Sequence, residues 1–152
     1  FNILQPELYR ARFLDLFSGS GAIGIEALSR GCGMAVFVEN DREATACIRE
    51  NLERTKLFET AEVMQKDVFA ALETLEKEGK SFDIIFMDPP YDRLFEKKVL
   101  DRLYGSVLIH EETLIVVEAS LKTDFSYIED SGYKIIREKR YKTNKHLFLT
   151  IK

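Results

Sequence analysis

Apolar and polar positions along the chain alternate between short continuous runs and stripes at helical spacing. Arg12 to Phe17 reads as a strand, followed at once by Ser18-Gly19-Ser20-Gly21-Ala22-Ile23-Gly24 and then by a helix to about Arg30, stopped by Gly31. Met34 to Glu39 is a second strand, rich in valine and phenylalanine. Asn40, with Glu43 three residues on, marks the start of a helix from Asp41 to about Arg54. Ala44, Cys47, Ile48, Asn51 and Leu52 are expected on its packed face. Ala61 to Lys66 is a third strand, and Val68, Ala71, Leu72 and Leu75 fall at the offsets of one helical face, ended by Gly79. Phe82 to Met87 is continuously apolar apart from Asp83, as a strand covered on both faces should be.

Phe95, Val99 and Leu103 mark a further helix, Leu114 to Val117 a fifth strand, and Asp124 to Glu129 a weak helix. Tyr133 to Tyr141 and His146 to Ile151 then read as two strands joined by Lys142-Thr143-Asn144-Lys145, where asparagine tolerates left-handed geometry. Upstream, Phe1-Asn2-Ile3-Leu4 reads as the tail of an apolar element closed by Pro6. Strands alternating with helices imply an α/β fold: a doubly wound, mostly parallel, seven-stranded sheet with a C-terminal antiparallel hairpin. In such a sheet the ligand lies beyond the carboxyl ends of the strands, where the winding order reverses. The first and fourth strands normally flank that point, so the glycine loop and the segment Asp88 to Tyr91 should face each other across one cleft.

At 152 residues the chain suits one domain with a real core, residues 1–152. Beginning at Phe1, it reads as a fragment of a longer protein. No apolar run reaches the ~18 residues of a membrane helix, and no signal peptide is recognisable. Cys32 and Cys47 lack ligand-like spacing; both read as packing residues in a reducing compartment, which favours a cytoplasmic location. The net charge of −4 argues mildly against nucleic acid. Lys134, Arg137, Lys139, Arg140, Lys142 and Lys145 nevertheless cluster around a single acid, Glu138. They are candidate phosphate contacts or a solvated edge that discourages strand pairing. His110 and His146 show no partner pattern and read as surface or packing residues, and no metal is expected.

Gly19, Gly21 and Gly24 match G-x-G-x-x-G after a strand, where a ligand can approach the backbone and the helix N-terminus attracts anions. A tight turn needing glycine would look the same. Glu39 ends the second strand, where a carboxylate can accept both ribose hydroxyls; a helix N-terminal acid is the plainer alternative. Asp15, just before the loop, would repel a pyrophosphate and welcome an ammonium or sulfonium, which favours a cationic amino-acid nucleoside over NAD. Asp67 could accept the amino group of an adenine, with the Val68 N–H on a ring nitrogen, or could cap a helix. Pro89 and Pro90 forbid helix and ladder, leaving carbonyl acceptors beside the Asp88 carboxylate and the Tyr91 ring. Such an edge suits a planar group bearing an NH2.

The order Asp15-Leu-Phe-Ser-Gly-Ser-Gly, Glu39, Asp67, Asp88-Pro-Pro-Tyr resembles the class I S-adenosylmethionine-dependent methyltransferases that modify exocyclic amino groups of bases. Asp15 to Gly31, Val36-Phe-Val-Glu-Asn-Asp and Met87-Asp-Pro-Pro-Tyr look most like the RsmD family of bacterial 16S rRNA guanine-N2 methyltransferases, over nearly the whole chain. Members carry a basic N-terminal segment before the position of Phe1, and Asn40 is a polar choice beside the expected adenine. The resemblance implies that Asp15, Ser18, Gly19 and Gly21 hold the methionine part of S-adenosylmethionine, Glu39 the ribose, and Asp67 with Val68 the adenine. It further implies that Asp88 and Pro89, followed by Pro90, grip the amino group, and that Tyr91 stacks on a base turned out of its helix.

The substrate implied is ribosomal RNA, as a small-subunit particle, acted on by a monomer. Three rivals remain at this point: a DNA adenine-N6 or cytosine-N4 methyltransferase with the same four-residue motif, an NAD-dependent oxidoreductase, and a non-catalytic RNA-binding or assembly module.

Overall fold

The computed structural model describes residues 5–90 and 94–152. A one-turn helix α1 (Gln5–Leu8) precedes β1 (Arg12–Leu16), α2 (Ala22–Ser29), β2 (Met34–Glu39), α3 (Arg42–Thr55) and β3 (Ala61–Gln65). The chain continues through α4 (Val68–Lys77), β4 (Ile84–Met87), α5 (Phe95–Leu103), β5 (Leu114–Ser120), β6 (Tyr133–Arg140) and β7 (Asn144–Ile151). All strands join one 7-stranded sheet in the order β3-β2-β1-β4-β5-β7-β6. The strands β1 to β5 pair in parallel, and β7 runs antiparallel between β5 and β6. This is the doubly wound α/β architecture expected, and the winding order reverses between β1 and β4.

Side chains alternate across a strand, so each strand feeds two cores. Leu14, Leu16, Val36, Val38, Ile85, Met87, Ile115 and Val117 pack on one face against α4 and α5. The predicted stripe of α4 is buried there, with Ala71, Leu72 and Leu75 at 0% exposure and Val68 at 5%; each buried leucine contributes about 1.5–3 kcal/mol. Phe13, Phe37, Ile84, Phe86 and Val116 pack on the other face against Leu8, Ala27, Ile48 and Leu52. Asp15 shares that second face and is 1% exposed, a carboxylate enclosed among aromatic rings.

Gly24 permits the close approach of α2 to β2, because an added Cβ would overlap the buried Phe37 ring. Gly24→Ala is therefore expected to destabilise the protein by about 1–3 kcal/mol through overpacking, read as a lower urea midpoint at unchanged slope.

Several local expectations are corrected. Asp41, not Asn40, caps α3, its side chain accepting from the Ala44 N–H at 2.8 Å. The packed face of α3 carries Thr45, Ile48 and Leu52, while Cys47 is exposed rather than packed. Pro6 lies within α1 instead of closing an element, and Phe1 to Leu4 fall outside the described residues. A 3₁₀ turn, Ser126–Asp130, replaces the helix expected from Asp124 to Glu129. Asn144 is not left-handed but opens β7, the hairpin closing through the Tyr141 N–H to the Asn144 carbonyl at 2.8 Å.

Candidate active site

Strand register lays the site out as a row across the carboxyl edge of the sheet. Leu16 pairs with Val38 of β2 and with Met87 of β4, so Phe17 leaves the sheet between Glu39 and Asp88. Glu39 pairs with Gln65 of β3, and the Lys66 N–H donates to the Glu39 carbonyl at 3.2 Å, bringing Asp67 alongside. On the other side Met87 pairs with Val117, so Asp88 lies beside Glu118, and Glu118 pairs with His146 of β7. Residues 17 to 118 thus share one edge because the parallel strands β1 to β5 all end on the same side, and His146 joins them because the antiparallel β7 begins there.

Two adjoining clefts open along this row. One of about 410 Å³ is lined by Phe17, Gly19, Glu39, Asp88, Pro89 and Pro90. The other, about 250 Å³, is lined by Phe17, Glu39, Asn40, Lys66, Asp67, Val68, Pro90 and Phe95 among others. The glycine loop and the Asp88 segment face each other across the first, as the winding reversal predicts.

Glu39 joins the two clefts. Its Oε1 accepts from the Gly19 N–H at 2.8 Å and its Oε2 from the Asp41 N–H at 2.9 Å. Each carboxylate oxygen has a second lone pair, so both can still accept from a ligand hydroxyl. Gly19 is left-handed at φ +58, and a Cβ there would meet nothing within 4 Å: the loop backbone is bare towards the cleft. Gly21, left-handed at φ +82, is the N-cap residue of α2 and, lacking a side chain, makes no side-chain capping bond. Its N–H donates to the Ser18 carbonyl at 2.9 Å, and the Ser18 hydroxyl donates to the Asp15 carbonyl at 2.7 Å. Ser18 and Gly21 therefore shape the loop from within it.

Asp15 departs from the expectation that it faces the ligand. Its Oδ2 accepts the Gly24 N–H at 3.2 Å beneath the loop, and burial pushes its pKa up to about 7. Asp67 is a helix cap, accepting from the Phe69 and Ala70 N–H groups at 3.1 and 3.3 Å, and it lines the smaller cleft as well. Val68 is the first residue of α4, so its N–H has no acceptor within the helix.

Asp88 and Pro90 are exposed at the cleft mouth, whereas Pro89 is buried; Tyr91 lies outside the described residues. Partial desolvation first, and then the neighbouring Glu118 carboxyl, raise the pKa of Asp88 to about 6. Glu118 moves the opposite way, held down chiefly by its hydrogen bond to His146 at 2.9 Å.

Strand parity also divides the basic hairpin. Arg137 and Lys139 stand opposite Phe148 and His146, and Lys139 lies over the Tyr141 ring, which meets the His146 ring edge-on at 4.9 Å. Arg140 bonds Glu138 at 3.1 Å, and Lys142 is exposed in the turn. Lys145 is corrected: only 5% exposed, it donates to the Thr123 carbonyl at 2.8 Å and packs over Phe125, so it faces no ligand.

Three further residues escaped the sequence reading. Phe17 is left-handed at φ +60, lines both clefts and packs on Phe95 at 6.0 Å. That conformation costs a non-glycine residue about 1–3 kcal/mol and marks a position held for a purpose. Glu118 and His146 gave no local signal. His110 is also partnered, its Nε2 lying 2.8 Å from Asp83 Oδ1, at the opposite edge of the sheet. Among the described residues no helix is long and apolar enough to cross a membrane, and no acidic, histidine and cysteine cluster could hold a metal.

Comparison with known proteins points in one direction. The model of a family described as "Conserved hypothetical protein 95" matches residues 1–150. The chain is 32% identical over 139 residues to ribosomal RNA small subunit methyltransferase D of Escherichia coli, covering 91% of this chain and 68% of that protein. It is 38% identical over 118 residues to the Bacillus subtilis protein YlbH, provisionally named an rRNA methyltransferase, covering 78% of this chain and 64% of YlbH. The chain thus spans just under two thirds of that relative's length. A solved conserved hypothetical protein from Streptococcus pyogenes superposes with a TM-score of 0.88 at 32% identity, over 100% of this chain and 92% of that one.

Proposed function

Because the chain belongs to the family described as conserved hypothetical protein 95, we propose that it transfers a methyl group from S-adenosylmethionine to the exocyclic N2 amino group of a guanine in small-subunit rRNA. The observation that carries this reading is a single cleft with two unlike walls. Gly19 and Glu39 form one, bare backbone beside a carboxylate; Asp88, Pro89 and Pro90 form the other, rich in acceptors.

The donor set fits S-adenosylmethionine, which supplies an electrophilic methyl on a sulfonium. Glu39 accepts from the ribose hydroxyls with the lone pairs left over from Gly19 and Asp41. Asp67 and the Val68 N–H lie in the smaller cleft for the adenine edge, where Phe17 and Phe95 supply aromatic walls. Ser18, Gly19 and Gly21 shape the loop for the methionine part. Asp15 acts from behind that loop, where its carboxyl braces the Gly24 N–H.

Asp88 and the Pro89 carbonyl accept the two hydrogens of the target NH2. A guanine amino group has its lone pair delocalised into the ring and attacks poorly while planar. Two such acceptors localise the lone pair and orient it for in-line transfer. The amino proton can leave after the methyl arrives, so no strong base is required. Tyr91 is assigned the stacking role by its motif alone, and Arg137, Lys139 and Lys142 the contacts to flanking phosphates.

Methyl transfer by the full-length protein to small-subunit particles lacking the modification, followed by nucleoside digestion and mass spectrometry, tests the reading. N2-methylguanosine is the expected product; N6-methyladenine alone would transfer the protein to the DNA-type class. Stabilisation against heat by S-adenosylhomocysteine, with none by NAD, is expected in the same preparation. The converse would identify an oxidoreductase.

A further inference from the structure

The hairpin that carries the basic residues turns on the same edge of the sheet as Asp88. β7 runs antiparallel to both β5 and β6, so β6 points the same way as β5 and its last residues reach the carboxyl edge. Tyr141 follows Arg140 there, and its N–H donates to the Asn144 carbonyl at 2.8 Å to close the turn. Register divides the strand between two faces. Arg137 and Lys139 stand opposite Phe148 and His146, whereas Glu138 and Arg140 stand opposite Leu147 and Lys145 and bond each other at 3.1 Å. The face that continues from Glu118 and His146 therefore carries cations, and the acid of this strand is turned away from it.

Tyr141 supplies the aromatic surface of that face. Its ring lies 4.9 Å from His146, which meets the buried Phe86 ring edge-on at 6.0 Å and has its Nε2 2.9 Å from Glu118 Oε1. Phe86 is two residues before Asp88, in the strand that presents the acceptor. The tyrosine is thus tied to that strand through packed rings, yet 43% of it stays exposed. Lys139 lies over the ring, its Nζ 5.5 Å from the centroid, and Lys142 is exposed in the turn. A lysine stem is flexible, so the Lys139 ammonium can move to a phosphate and vacate the ring face.

We infer that Tyr141 and the two lysines beside it bind the nucleotide next to the target guanine: its base stacks on the Tyr141 ring, and its phosphate lies against Lys139 and Lys142. The inference rests on the methyltransferase reading above and adds a second stacking position, separate from the one given to Tyr91 by its motif. Charge favours RNA over an acidic protein segment. Strands β4 and β6 are three strand spacings apart, about 14 Å. Over that distance the surface passes from the carboxyls of Asp88 and Glu118 to the ammonium groups of Lys139 and Lys142. An RNA strand carries both complements, amino donors on its bases and anionic phosphates between them. An acidic peptide would meet the lysines and be repelled by the carboxyls. An edge charged only to discourage strand pairing needs lysines but no exposed ring.

Tyr141→Ala, Tyr141→Phe and Lys142→Gln in the full-length protein separate stacking from charge. Affinity for unmodified small-subunit particles is measured by filter binding between about 50 and 200 mM salt, with calorimetric titration of S-adenosylhomocysteine alongside. Loss of one stacked base in Tyr141→Ala is expected to weaken particle binding about 5–100-fold. The slope of log affinity against log salt should not change in that variant, because a stack releases no counterion. Tyr141→Phe should bind as the parent does. Lys142→Gln should weaken binding and make the slope shallower by about 0.7–1. Donor affinity should hold throughout, since the hairpin lies on the far side of Asp88 from the glycine loop. Ultraviolet crosslinking of the parent to the particles is expected to leave a nucleotide adduct on the Tyr141 peptide.

Parent-like affinity in Tyr141→Ala, a changed salt slope in that variant, or an equal loss in Tyr141→Phe overturns the inference. So does an adduct to a ribosomal protein in place of a nucleotide. Where Tyr141→Ala lowers the melting temperature or the donor affinity, Tyr141→Leu replaces it with the same expectations, because leucine keeps apolar bulk against His146 and lacks a π face. Binding that changes as stated, with no methyl transfer by the parent, would instead overturn the functional reading and leave the RNA contact established.

Discussion

Asp88→Ala is expected to lower the turnover of methyl transfer about 10²–10³-fold while leaving S-adenosylhomocysteine affinity nearly intact. The magnitude follows from what Asp88 is asked to do. An acceptor aimed at a developing ammonium acts mainly in the transition state, and its loss removes about 2.7–4 kcal/mol of stabilisation. Cofactor affinity should survive because Glu39, Asp67 and the glycine loop lie on the other wall and keep their own hydrogen bonds. Single-turnover transfer and calorimetric titration with S-adenosylhomocysteine measure the two quantities separately. Unchanged turnover would strip Asp88 of its role. A matching loss of cofactor affinity would show instead that the variant had disturbed Phe17 and the glycine loop, its neighbours along the strand ends.

Glu39→Ala should produce the mirror image. Each hydrogen bond between a ribose hydroxyl and a charged acceptor is worth about 1.5–3 kcal/mol, so the dissociation constant of S-adenosylhomocysteine should rise about 10–10²-fold. Turnover at saturating donor should change little, because Glu39 lies across the cleft from Asp88 and makes no contact that depends on methyl transfer. The variant has a second consequence, since Glu39 also holds the Gly19 and Asp41 N–H groups. Releasing them should raise amide exchange at those two positions even without cofactor. Unaltered affinity, with faster exchange at Gly19 and Asp41, would make Glu39 a loop brace only.

Much of the architecture was legible because its causes are local. The α4 stripe was predicted and is buried, since helical period and apolarity together leave few alternatives. The glycine loop announced itself through Gly24, whose missing side chain admits Phe37. The segment from Asp88 to Pro90 was conspicuous because two prolines directly after an apolar strand cannot extend the ladder. Where reading failed, a competing local partner had won. Asp41 took the cap assigned to Asn40, since its carboxylate reaches the Ala44 N–H. Asp15 was assigned to the ligand for its charge, but strand parity turned it into the aromatic core, where the Gly24 N–H receives it. Lys145 belonged by composition to the basic stretch, and the same parity placed it on the opposite face, over Phe125.

Sequence alone determined which segments are strands and helices, where the chain must turn without side chains, and which loops carry acceptors. Those features depend on residues a few positions apart, and their physics is that of periodicity and backbone sterics. Only the tertiary structure decided what stands beside Asp88. Glu118 and His146 are 28 residues apart and touch because β5 and β7 pair in one register out of several the hairpin could have taken. A one-residue slip would send His146 to the other face and leave Glu118 without its partner, so the side chains beside Asp88 are fixed by strand register and not by any local motif.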